Sequence, residues 1–155
     1  MFELLVAAKM LLTAPQMAVG TDRARIEARF GAPDGVGTDF LPASGDNPSA
    51  GKLMTLDWPD LRIRLFESGE THHVQLVGVT TTRDVLKIGS PVHIGVDRGT
   101  VLRELGGPAY EDEDQIVYSL NQQSGVEPND TVRLVLKDDR IVGIDWTYPL
   151  ETSAP

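Results

Sequence analysis

From residue 61 to residue 66 two series of side chains interleave, Leu61, Ile63 and Leu65 against Arg62, Arg64 and Phe66. A period of two sends successive side chains to opposite sides of an extended backbone, so this segment is predicted as a strand with its aliphatic face toward a core. Residues 131–137 repeat the pattern, Val132, Leu134 and Leu136 alternating with Arg133, Val135 and Lys137. Further strands are predicted over 52–58, 73–80, 115–120 and 140–148, where β-branched and aromatic residues are bounded by turn formers. In the last, Ile141 and Gly143 blur the alternation of Val142, Ile144, Trp146 and Tyr148, and a β-bulge there would switch faces. Residues 137–140 (KDDR) suit a tight hairpin turn, 67–71 a looser one. Residues 57–60 (DWPD) read as a turn that would hold the Trp58 indole at a rim.

Spacing of four takes over elsewhere. Ile26 with Phe30, and Val101 with Leu105, would share one helix face. Asp22 and Asp97 suit the N-cap, accepting from free backbone amides; Gly31 and Gly106 suit the left-handed position past the last turn, and Pro33 and Pro108 bar continuation. Residues 1–14 are apolar apart from Glu3, Lys9 and Thr13. They are expected to form a first helix, or the remnant of a trimmed signal; the stretch falls short of the roughly 20 apolar residues of a membrane span. It also lacks the leading cations and the cleavage site of an export signal.

The two helix blocks are an internal repeat. Residues 20–33 align without gaps on 95–108, with Gly20/Gly95, Asp22/Asp97, Arg23/Arg98, Gly31/Gly106 and Pro33/Pro108 identical. Downstream, 61–66 matches 132–137. The chain therefore divides into an N-terminal apolar segment (1–15), a first unit (16–82), a second unit (83–150) and a disordered tail (151–155). Each unit reads as a helix followed by an antiparallel meander. Glycine-rich 34–51 and its shorter counterpart 121–130 are expected as polar loops. Side by side, the units would form a shared or adjoining antiparallel sheet with the helices on one face, an α+β arrangement.

The 155 residues suffice for one domain or two small fused units. Twenty-three acidic against 14 basic residues give a net charge of −9, a field that repels phosphate backbones and anionic lipid. Nucleic acid is excluded as the expected partner, and no membrane span is expected. With no cysteine, disulfides, thiolate nucleophiles, Cys-based zinc sites and iron–sulfur clusters are excluded too. No nucleophile elbow, P-loop or dinucleotide glycine pattern occurs. The run 111–114 (EDED) lacks the glycine of a calcium loop and reads as a solvated acidic loop. No cofactor or metal is expected.

The signature G-x-[TD]-R-x-x-[IV]-x-x-x-[FL]-G-x-P, with Tyr118 on a strand and the run VRLVLKDDRIVGI after it, resembles the small outer-membrane-assembly lipoproteins of the SmpA/OmlA type. Two such units in tandem resemble the beta-lactamase inhibitor protein family. The resemblance covers nearly all of residues 16–148 and implies a non-enzymatic bacterial domain that presents a sheet and loops to a protein partner, in an exported or periplasmic setting. The missing signal points instead to the cytoplasm. The chain departs from both groups in having no cysteine for a lipid anchor or for paired thiols.

Candidate partner-binding residues follow from the alternation. Arg62, Arg64 and Phe66, with Arg133, Val135 and Lys137, would make a partly basic, aromatic-bearing stripe on an acidic protein, and Arg and aromatic side chains are favoured where interfaces concentrate their energy. Trp58 and His73 join the set. A solvated sheet face is the plain alternative. A binder of small molecules or peptides, or a small hydrolase using His72 or His73 with Asp57, are the other functional readings.

Overall fold

The computed structural model describes residues 6–42, 50–119 and 130–150. The expected tail at 151–155, and parts of the loops expected within 34–51 and 121–130, lie outside the described residues. Three helices, α1 (Val6–Ala18), α2 (Arg23–Phe30) and α3 (Arg98–Leu105), accompany eight strands: β1 (Gly35–Leu41), β2 (Gly51–Trp58), β3 (Leu61–Ser68), β4 (Val74–Thr81), β5 (Tyr110–Glu111), β6 (Gln115–Ser119), β7 (Thr131–Lys137) and β8 (Arg140–Thr147). The strands make one antiparallel sheet in the order β1-β2-β3-β4-β8-β7-β6-β5. The α+β class holds.

The two capped helices start and stop on the residues that local chemistry selects. Asp22 accepts from the Ala24 amide and Asp97 from the Thr100 amide, both at 2.9 Å. Past the last turn Gly31 and Gly106 take φ of 85° and 80°, a region in which a Cβ is strained. Asp138 and Asp139, at φ 51° and 61°, close the β7–β8 hairpin in the primed turn geometry that matches strand twist. A bulge interrupts β8 and reverses the face assignment of Val142: Val135 pairs Gly143 and Leu136 pairs Ile141, leaving Val142 unopposed and exposed. Ile141, Ile144 and Trp146 can then all face the core.

Leu56, Ile63, Leu65, Val79, Ile116, Leu134 and Trp146 share a single core with Ala8, Leu11 and Leu12 of α1, Ile26 of α2, and Val101 and Leu105 of α3. At Pro15 in α1 the chain has no N–H to give to the carbonyl four residues back, that of Leu11. The Trp146 indole supplies the missing donor, its Nε1 bonding Leu11 O at 2.9 Å. At the next carbonyl, the Tyr148 hydroxyl donates to Leu12 O at 2.7 Å, and burial pushes that phenol well above its ordinary pKa. Helix α1 is thereby locked to the end of β8. Arg29 ties α2 to the end of α1 through Ala18 O, and to Leu86 O at 2.7 Å.

Two expectations are corrected. Residues 35–41, taken for loop because of Gly35 and Gly37, form a full strand, since pairing with β2 fixes what local propensity does not. The first helix runs through Pro15 to Ala18 instead of ending at 15, because the freed carbonyl finds its partner across the core. Among the described residues no helix is long and apolar enough to cross a membrane.

Candidate functional site

With the aliphatic series turned into the core, the alternate series stands on the outer face of the sheet. Register aligns it into cross-strand rows. One row runs Asp57, Arg62, Thr80, Asp145, Arg133, Val117 and Tyr110 from β2 to β5. Directly opposed side chains lie within bonding reach, and the row is a ladder of polar contacts: Arg62 Nε donates to Asp57 Oδ1 at 2.6 Å, Thr80 Oγ1 to Asp145 Oδ1 at 3.0 Å, and Arg133 Nη2 to Asp145 Oδ2 at 3.1 Å. The hydrogen bond to Asp57 raises the Arg62 pKa further. The expected basic stripe is therefore largely neutralised, two of its arginines being spent on aspartates of neighbouring strands.

Arg64 is the exception. The next row sets it between Thr55 and Gly78, with Thr147, Thr131 and Ser119 beyond. Its guanidinium lies on the backbone of Gly78: a Cβ there would fall 2.8 Å from Nη2 and 2.9 Å from Nε. Nε is buried without a hydrogen-bond partner, although buried donors are nearly always satisfied. Lys137, exposed where the β7–β8 hairpin turns, also makes no ion pair among the described residues, and neither does Arg140 opposite it.

The remaining candidates fall as follows. Phe66 is on the outer face but only 5% exposed, its ring against Gly51, so it fills space instead of offering an aromatic surface. Val135 is half-buried opposite Gly143. Trp58 is not at an outer rim: it is half-buried against Phe30, ring centroids 5.9 Å apart, with Nε1 donating to Gly31 O at 2.9 Å. It thus belongs with α2 and the core. His73 is exposed in the turn before β4, where its N–H meets Thr71 Oγ1. His72 stands 3.3 Å from Glu67. Asp57 lies at the opposite end of β3 from both histidines, so the structure does not assemble the His–Asp pair that a hydrolase would need. No group of three His, Asp or Glu side chains able to hold a metal ion occurs among the described residues.

Sequence reasoning missed two features. The acidic run after β5 is organised around Arg98, which donates to Glu111 Oε2 at 2.9 Å, to Asp139 Oδ1 at 3.2 Å, and to the carbonyls of Asp112 and Glu113. Asp112 in turn accepts from the Asp114 and Gln115 amides and from the Tyr110 hydroxyl, bonds that hold its pKa below the ordinary value. The other is an apolar groove of about 450 Å³ between the outer side of α1 (Met10, Ala14, Met17) and the segment Ile88, Gly89 and Pro91. The apolarity of 1–14 on all sides was its signal. No known family, characterised protein or solved structure matches the chain.

Proposed function

We propose that this chain is a non-enzymatic protein-binding module that engages a protein partner through the outer face of its sheet, in the manner of an inhibitor, immunity factor or assembly scaffold. The observation that carries the reading is Arg64, a guanidinium left without an acid at the middle of that face while Arg62 and Arg133 on the same face are matched. An unmet buried donor costs about 1–3 kcal/mol, a penalty that the side chain escapes by swinging out to an acceptor on a bound partner. On this reading the helix-plus-meander units of the first and second halves join at β4 and β8 with their helices on the core side, leaving the outer face clear. The resemblance to the lipoprotein and inhibitor groups supports the same role.

The test is affinity capture from the source organism with wild type beside an Arg64→Glu/Lys137→Glu double variant, each first checked for an unchanged circular dichroism spectrum. A protein retained by wild type and lost by the variant is the expected result. Identical retention by both removes the face from consideration.

The α1 groove favours a second reading, a binder of an apolar small molecule or peptide, because its volume falls in the roughly 300–1,000 Å³ of ligand sites. Ligands that bind only the native state raise the melting temperature. A metabolite and peptide screen whose hits vanish in Met10→Ser/Met17→Ser would favour the groove over the face.

A further inference from the structure

The two ends of the sheet are built differently, and one of them is self-complementary. At one end, β5 contributes two residues and runs into the acidic turn pinned by Arg98. Short, charged edges resist pairing with other strands. At the other end, β1 pairs with β2 over seven residues in unbroken register, Gly35 with Asp57 through Leu41 with Gly51. It has no bulge, no proline and one charge, Asp39. Among the described residues its outer backbone edge has no strand partner.

The side chains along that edge are also anomalous. Val36, Thr38 and Phe40 lie opposite Leu56, Met54 and Lys52 and so project to the core side. Yet Phe40 is 80% exposed and Val36 49%. They lie next to unpaired backbone groups, the combination that marks a template for strand addition.

We infer that two copies of this chain pair edge to edge through β1, antiparallel about a two-fold axis at Thr38. In that register each Val36 lies opposite Phe40 of the second copy, an aliphatic–aromatic pair of the kind that stabilises neighbouring strands. Asp39 lies opposite Gly37, so the two carboxylates are offset. Centring on Asp39 would set that carboxylate against itself, and centring on Gly37 would set Phe40 against Asp34; Thr38 is the centre that matches apolar with apolar. The contact is isologous and closes, so it yields a dimer and no filament. Because each copy carries a net charge of −9, added salt should strengthen the pairing by screening the repulsion.

This inference is independent of the outer-face reading and can fail while partner capture survives. The chain has no cysteine of its own, which makes a single thiol a clean reporter. Directly opposed residues of an antiparallel pair have Cα atoms roughly 4.5–5.5 Å apart, inside the range of about 4.4–6.8 Å that a disulfide spans. Oxidised Thr38→Cys should run as a covalent dimer on a non-reducing gel, and Val36→Cys, opposite Phe40, should cross-link several-fold less. Sedimentation equilibrium should give a wild-type dimer that becomes monomeric in Val36→Lys/Phe40→Lys. Should that variant misfold, the cross-link still decides. A wild type that remains monomeric at its highest soluble concentration overturns the inference. So does a dimer that Thr38→Cys fails to trap, including one abolished by Met10→Ser/Met17→Ser.

Discussion

Two fourteen-residue helix blocks of this chain share their cap and stop residues, and the two end in different surroundings. In the second half α3 buries both Val101 and Leu105, and α1 lies alongside, fastened by Trp146 and Tyr148. In the first half α2 buries Ile26 alone, and its other apolar residue, Phe30, rests half-buried against Trp58. Matching caps and stops thus produce helices of equal length, but the stability of each half depends on what the rest of the chain lays over it. The second half has an extra layer and the first does not.

Substitutions at the two tryptophans should break this comparison most sharply. Trp146 is 1% exposed, and Trp146→Ala should cost about 3–5 kcal/mol in urea unfolding, the range for emptying a large aromatic site. Trp58→Ala, which loses one tilted aromatic contact and one hydrogen bond, should cost about 1–3 kcal/mol. Equal losses would mean that α1 adds nothing to the second half.

The role of α1 can be sharpened by a coupled pair. Trp146→Phe keeps most of the packing and orphans the Leu11 carbonyl, for about 1–3 kcal/mol. Adding Pro15→Ala returns a backbone N–H to that carbonyl, so the double variant should unfold at a higher urea midpoint than the sum of the single changes predicts. Strict additivity would show that the indole bond does not compensate for the proline.

The caps should give the smallest differences. Asp22→Ala and Asp97→Ala are each expected to lower the urea midpoint by less than either tryptophan change. Hydrogen bonds from Thr100, its side chain first and then its amide, hold the Asp97 pKa below the ordinary carboxylate value. A carboxylate depressed in the folded state contributes stability that is present above its unfolded pKa and lost as pH falls through the folded one. Wild type should therefore lose more stability on acidification than Asp97→Asn, as measured by urea midpoints across the acid range. A parallel pH dependence in the two proteins would remove Asp97 from the account.

How much of this was legible beforehand depended on the range of the interaction. Caps, helix stops and the 138–139 turn involve neighbours a few residues apart, and they were read correctly. The β8 bulge was legible as a conflict, because Ile141 and Ile144 cannot both face inward on an unbroken strand. Strand β1 was not, since Gly35 and Gly37 argue for loop and only the seven-residue pairing with β2 overrides them. The outer face was half legible: alternation put Arg62, Arg64 and Phe66 together, but it could not foresee that Arg62 meets Asp57, that Phe66 is buried over Gly51, or that Trp58 turns toward α2.

What the sequence determined alone is the periodicity: two capped helices, strands with one aliphatic face, and a chain with neither cysteine nor cationic surplus. Those features are set by sterics and hydrogen bonding within a few residues. The tertiary structure decided which charges cancel, which carbonyl the Trp146 indole serves, and which strands stand at the ends of the described sheet. Each of these joins residues far apart in the chain, and their meeting depends on strand order and register, which a local pattern does not encode.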